Sequence, residues 1–467
     1  MINRYDSRIH RLPPELLAAV ASHLEDGGSL VAATHVCHFW RTSLLSSPGL
    51  WSFLDFTNEE RALVYLERSK SAPLRISSID FYYPSDIVKE SLNQVAARVT
   101  KLRAAHGPLL DELLAHPMPK LEALKITGSD ELPLKNPAHF PSLTSLVISG
   151  FDPLQFYAPI LTSFHLIHDP GTGSVGWSAS VLLNFFRNCP LLEVASLSCD
   201  MDPSSDEAVS LPLLRSFTHK SRRDKYQLCL LNRLSLPSTC RVVLMIDVEG
   251  YYFDPWTPGL ATPRNSPYLS DIRAVKIAAH PGGMRSSGFQ NVTFKIEFVN
   301  STHRSISFDR TSFYPDDLSY FSHHGFLEIL EGVEFDSVET LCFDHYPVPH
   351  EDRPWEATTF ISQTLCKCRN LKTLILEEYH ILSSLHDLHP CPTVDTLVVS
   401  SWLFTSTLYE DVVERLQEFV ESRKKAGFPL EVLKLVSPVA EPHPSELERL
   451  RGCIGWIEVV RGDDVLS

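Results

Sequence analysis

One short pattern recurs along most of this 467-residue chain, and it limits the possible folds more than any other feature. It is written Pro-x-Leu-x-x-aliphatic-x-aliphatic. It runs from Pro119 through Leu121, Leu124 and Ile126, from Pro141 through Leu143, Leu146 and Ile148, and from Pro159 through Leu161, Phe164 and Leu166. Weaker copies lie at Leu192 to Leu197 and Leu214 to Phe217. The pattern returns around Leu341 and Phe343, Leu374 and Leu376, Leu397 and Val399, and Leu433 and Leu435. Alternation of apolar residues marks a strand with one buried face. A single strand of this length cannot bury that face alone, so neighbouring copies must stack.

The steps between Leu121, Leu143, Leu161, Leu192 and Leu214 are 22, 18, 31 and 22 residues. Periods of about 20 to 30 with this consensus resemble leucine-rich repeats, which implies a solenoid of parallel strands with helices on the convex side. Two returning helices are predicted, one at 178–188 carrying Val181, Leu182, Phe185 and Phe186, and one at 408–425. The second has Leu408, Val412, Leu416, Phe419 and Val420 on one face, cations late in its length, and Gly427 beyond its end. Residues 228–335 fit less well. Ile272, Val275 and Ile277 look like another copy, whereas 241–247, 292–299 and 305–309 alternate like ordinary strands. Either irregular repeats with a long loop or a separate β-rich insertion accounts for them.

The stretch Leu12 to Trp51 has a different character. Pro13 and Pro14 suit a first helical turn, and Leu16, Leu17, Val20 and Leu24 fall on one helical stripe. Gly27 and Gly28 read as a break, Ser29 as an N-cap, and the next apolar residues run to Leu45 before Pro48 stops the helix. About three short helices in about 40 residues cannot bury Leu12, Leu16, Trp40, Leu50 and Trp51 against one another. Part of that apolar surface must be completed by another protein or by the rest of the chain.

These residues resemble the F-box family, in the form common among fungal proteins. The resemblance rests on Leu12, Pro13, Glu15, Leu16 and Leu17, then Leu24 and Leu30, then Val36, Cys37, Trp40 and Arg41, and finally Pro48, Leu50 and Trp51. Two departures stand out. Ala21 takes a place where an aromatic is usual, and Asp26-Gly27-Gly28 is one residue longer than the usual turn. The resemblance implies docking on the S-phase kinase-associated adaptor of an SCF-type cullin–RING ubiquitin ligase. The contact residues it implies are Leu12, Pro13, Leu16, Leu17, Val20, Leu24, Leu30, Val36, Cys37, Trp40, Leu50 and Trp51. Packing considerations alone favour Val36 and Leu44 as core, and Leu12, Pro13, Leu16 and Trp51 as contacts.

The expected fold class is thus α/β. A three-helix F-box at 1–57 and a linking helix at 58–72, capped by Asn58, precede an irregular leucine-rich-repeat solenoid at 73–467. On its concave side the first outward column reads Ala123, Ser145, Ser163, Val194, Ser216, Thr340, Thr373 and Thr396. Ser145, Ser163, Ser216, Thr340, Thr373 and Thr396 are the candidate substrate contacts, although small hydroxyl side chains also suit tightly stacked strands.

Net charge is −15, which argues against general affinity for nucleic acid. Residues 328–467 hold 12 basic and 25 acidic side chains, so a charged partner docking there should be basic. A solubilising surface explains the excess equally well. No apolar run is long enough to span a membrane, and the ten scattered cysteines fit a cytoplasmic or nuclear protein.

Several motifs suggest chemistry and are discounted. Gly171, Gly173 and Gly176 spell a dinucleotide-type glycine pattern, yet the preceding strand belongs to the repeats and His168-Asp169-Pro170 intervenes. Cys366, Cys368, His386, His389 and Cys391 do not form a complete ligand set by spacing. No cofactor, metal or catalytic group is expected. The chain reads as a non-enzymatic substrate receptor, with a repeat scaffold bearing a helical cap as the alternative.

Overall fold

A computed structural model describes residues 12–24, 27–77, 85–105, 107, 110, 113–128, 139–149, 159–167, 177–199, 201–202, 207–221, 230–247, 271–284, 290–301, 305–312, 335–344, 361, 364–376, 393–400, 409–437 and 444–461. Contacts divide the chain into two units. The first holds 1–198 with 209–213, and the second holds 199–208 with 214–467.

The first unit begins with three helices, α1 (Pro14–Ala21), α2 (Gly27–Thr34) and α3 (His38–Leu45), of which α3 packs on both others. Gly27 and Gly28 open α2 rather than break the chain, so Ser29 lies inside the first turn instead of capping it. The cap of α3 is Cys37, whose Sγ accepts from the Trp40 amide at 3.5 Å. A 3-10 turn, Pro48–Trp51, then leads into β1 (Phe53–Asp55). Asn58 caps α4 (Glu59–Ser69) by accepting from the Arg61 amide at 2.9 Å, as its position predicts.

Seven parallel strands follow one another across this unit: β1, β2 (Leu74–Ser77), β3 (Val99–Ala105), β4 (Ala123–Thr127), β5 (Ser145–Ser149), β6 (Ser163–Ile167) and β7 (Val194–Ser198). Between β2 and β3, α5 (Asp86–Val95) returns the chain. The register aligns Leu54, Ile76, Leu102, Leu124, Leu146, Phe164 and Ala195 in one buried row. Each later copy is set by its Pro-x-Leu turn, in which the Leu121, Leu143 and Leu192 amides bond back three residues and the leucine is fully buried. Threonine hydroxyls tie successive strands at their starts, from Thr144 to the Glu122 carbonyl and from Thr162 to the Thr144 carbonyl, both 3.1 Å. The predicted helix after β6 is α6 (Ala179–Arg187). It covers the buried row with Phe185 and Phe186, whose ring centroids lie 4.4 and 6.3 Å from that of Phe164.

The second unit holds β8 (Ser216–Ser221), β9 (Arg241–Asp247), β10 (Ile272–Met284), β11 (Gln290–Asn300), β12 (Ser305–Ser312), β13 (Thr340–Asp344), β14 (Thr373–Leu376), β15 (Thr396–Ser400), β16 (Val432–Ser437) and β17 (Trp456–Arg461). The two readings of 228–335 meet here. β9 pairs parallel with β12, and β10 pairs parallel with β13, so both carry on the parallel pairing. Between β10 and β12, β11 runs antiparallel to each. An inserted hairpin strand is thereby absorbed into the sheet. Leu341, Leu374, Leu397 and Leu433 form the buried row of the regular part.

The predicted long helix is α7 (Tyr409–Lys425), with Leu416, Phe419 and Val420 buried; Leu408 lies outside the described residues. Gly427, at φ 88°, ends it in the left-handed region that a side chain would strain. One of its late cations departs from expectation. Arg423 is buried, donating to the Val394 carbonyl and lying against the Phe419 ring. A last helix, α8 (Pro444–Arg451), packs on α7 and β17.

Candidate protein-interaction site

Helix α1 has more apolar positions than one core-facing stripe can use. Leu17 and Ala21, four residues apart, are buried. Leu16 and Val20 have the same spacing on another face and are 52% and 58% exposed. The single stripe expected from spacing is therefore split in two. Leu24 and Val36 are exposed as well, at 38% and 62%. Each aliphatic side chain of this size, if fully covered by a partner, would contribute about 1.5–3 kcal/mol.

The twelve residues implied as contacts divide accordingly. Pro13, Leu16, Val20, Leu24 and Val36 are exposed, and Leu12, Cys37, Trp40 and Leu50 are half-buried. Leu17, Leu30 and Trp51 are interior. Two of the packing-based expectations are corrected by this. Val36 was expected in the core and faces solvent, because it sits in the turn between α2 and α3 rather than on either helix. Trp51 was expected to face a partner and is 0% exposed. Its Nε1 donates to the Leu44 carbonyl at 2.9 Å, Tyr65 of α4 meets it edge-on at 4.9 Å, and the Arg68 guanidinium lies over it at 4.6 Å. Leu44 is buried as expected. Ala21, at the departure from the family pattern, is also buried. Asp26 lies outside the described residues.

Trp40 adds an unpaired polar group. Its Nε1 is buried without an acceptor among the described residues.

The candidate substrate contacts fall into separate groups. Ser145 and Ser163 are direct neighbours on β5 and β6, flanked by Ala123 and Val194. Thr340, Thr373 and Thr396 align across β13, β14 and β15. Ser216 stands apart from those threonines, opposite Arg241. All six are half-buried. Near Ser163, its hydroxyl and the His165 Nε2 are 3.2 Å apart, and burial holds the His165 pKa below its ordinary value. A histidine that the repeat pattern did not single out, His219, occupies an aliphatic slot in β8. It is fully buried, with Nε2 at 3.1 Å from the Cys199 carbonyl.

Among the described residues, no three His, Cys, Asp or Glu side chains are grouped as metal ligands would be, and no helix is long and apolar enough to cross a membrane. The glycine pattern at 171–176, and His386, His389 and Cys391, lie outside the described residues.

An exposed apolar stripe on a small helical unit marks a protein-interaction module. Residues 9–57 match the family model described as F-box-like, which places this module in the context of ubiquitin ligases. No curated protein matches the chain.

Proposed function

We propose that the chain is the substrate-recognition subunit of an SCF-type ubiquitin ligase, acting in the cytoplasm or nucleus. The three N-terminal helices dock on the S-phase kinase-associated adaptor, and through it on cullin. The parallel strands form a leucine-rich-repeat solenoid that holds a substrate protein. The chain itself supplies no catalytic group or cofactor in this role. It raises the effective concentration of substrate beside the conjugating enzyme carried by the RING partner.

The observation that carries this proposal is the exposure of Leu16 and Val20 on α1, on a face beside that of the buried Leu17 and Ala21. A helix that only capped the rest of the chain would leave no second apolar face. The alternative, a repeat scaffold with a helical cap, has one observation in its favour: Trp51 is enclosed by α4.

Pull-down of the full chain by purified adaptor separates the two. Capture that is lost in Leu16→Asp with Val20→Asp, while the thermal midpoint stays unchanged, supports docking. Absence of capture by the folded wild-type chain leaves the scaffold.

A further inference from the structure

The solvent-facing sides of the strands in the two units treat charge differently. In the second unit several cations on that face are neutralised. Lys276 reaches Asp344 at 2.7 Å and Lys434 reaches Glu458 at 2.8 Å, while Arg273 and Lys372 share Glu339 at 2.7 and 3.2 Å. In the first unit, Arg75, Lys101, Arg103 and Lys125 project from the same side of three adjacent strands, β2, β3 and β4. Arg75 is opposite Lys101, and Arg103 is opposite Lys125. Lys101 and Arg103 alternate with the buried Leu102 on β3, so all four point away from the core. Neighbours across strands are about 5 Å apart at the backbone, and alternate residues about 7 Å apart along one strand. The four cationic side chains therefore rise from backbone positions that span about 12 Å.

None of the four forms an ion pair among the described residues. Among the described residues, the Arg75 guanidinium lies against the Phe53 ring, 5.8 Å from its centroid. Asp55, on the same face, is bonded to Arg61 at 3.4 Å. Next to the cations the face continues with small uncharged side chains, Ala123, Ser145 and Ser163, in direct register. Like charges this close repel one another and cost stability unless a ligand compensates them. In a chain of net charge −15, their concentration on three strands is not a general excess of base.

We infer that this face of β2, β3 and β4 is a docking surface for an acidic segment of a partner protein, bound in extended form. Carboxylates on alternate residues of an extended segment repeat at about 7 Å, the spacing of Lys101 and Arg103. Nucleic acid fits the surface less well. The chain's net charge opposes a polyanion at long range. Describing the acidic partner as a ubiquitination substrate rests on the function proposed above; the binding does not.

The test is fluorescence anisotropy of the full chain with a labelled decapeptide of alternating Glu and Ser, against the same peptide with Gln for Glu. The Glu peptide should bind at least tenfold more tightly and weaken as salt rises from 50 to 200 mM. Lys101→Glu with Arg103→Glu should abolish the difference, and Lys101→Gln with Arg103→Gln should reduce it. Lys372→Glu with Lys434→Glu, the same charge change in the second unit, should leave it intact. Equal affinity for the two peptides, equal loss from both reversals, or tighter binding of a single-stranded RNA decamer would overturn the inference. Adaptor pull-down of the same variants is a separate readout. Retained capture without peptide binding rejects only the acidic surface, and peptide binding without capture rejects only the ligase role.

Discussion

Apolar side chains are used differently by the N-terminal helices and by the strands that follow them. From Leu54 to Ala195, the inward row of the first unit's strands is buried at every rung, each side chain covered by its neighbours and by returning segments such as α6. In the helices, Leu16, Val20, Leu24 and Val36 remain in solvent although Leu17, Leu30 and Leu44 are enclosed. A stacked strand has a partner on each side by construction. A three-helix unit of about 40 residues has too little interior for its apolar content. What remains outside is surface for another molecule.

The sharpest challenge to that contrast is Trp51, which belongs by sequence to the helices and by packing to the interior. Trp51→Ala and Phe164→Ala should each cost about 3–5 kcal/mol in denaturant unfolding. A loss below about 1 kcal/mol for Trp51→Ala would return the indole to the docking surface. Next in size is the cap joining the two regions. Asn58→Ala removes the acceptor for the Arg61 amide and should cost about 1 kcal/mol, read from the shift of the unfolding midpoint. Smaller again is Leu16→Asp, expected to change stability by no more than about 0.5 kcal/mol while removing adaptor capture. Destabilisation as large as that of Leu17→Ala would show that the exposed stripe is structural after all.

The smallest effect concerns the solvent face of the sheet. Burial lowers the His165 pKa from 6.5, so the unfolded chain binds its proton more readily than the folded one. The folded state is therefore favoured above the ordinary pKa and loses that advantage as pH falls through it. Thermal midpoints between pH 7.5 and 5.5 should fall slightly more for wild type than for His165→Asn. Parallel curves would mean that His165 does not contribute.

Much of the strand order was legible because the pattern is local. Pro119 and Leu121 set a turn, Leu124 and Ile126 set an inward face, and the same arithmetic recurs from Pro141 onward. The α4 cap at Asn58 and the end of α7 at Gly427 were legible for the same reason, since a capping side chain or a left-handed residue acts within a few positions. Leu16 and Leu17 were legible as apolar, but not which of the two is buried: which of two adjacent leucines goes inward depends on where α3 lies. Arg423 looked like an exposed helix-terminal cation, and only its approach to the Val394 carbonyl, 29 residues away in sequence, places it inside.

By itself, the sequence determined the helical character of the opening stretch, the spacing of the regular strands and the F-box-like character of residues 9–57, because periodicity and capping are properties of neighbouring residues. Tertiary structure alone decided that Trp51 is interior and Val36 exposed, that β11 enters the sheet antiparallel, and that Arg75, Lys101, Arg103 and Lys125 share one face. These depend on register and on contacts between residues distant along the chain. Such contacts exist only once the strands are side by side.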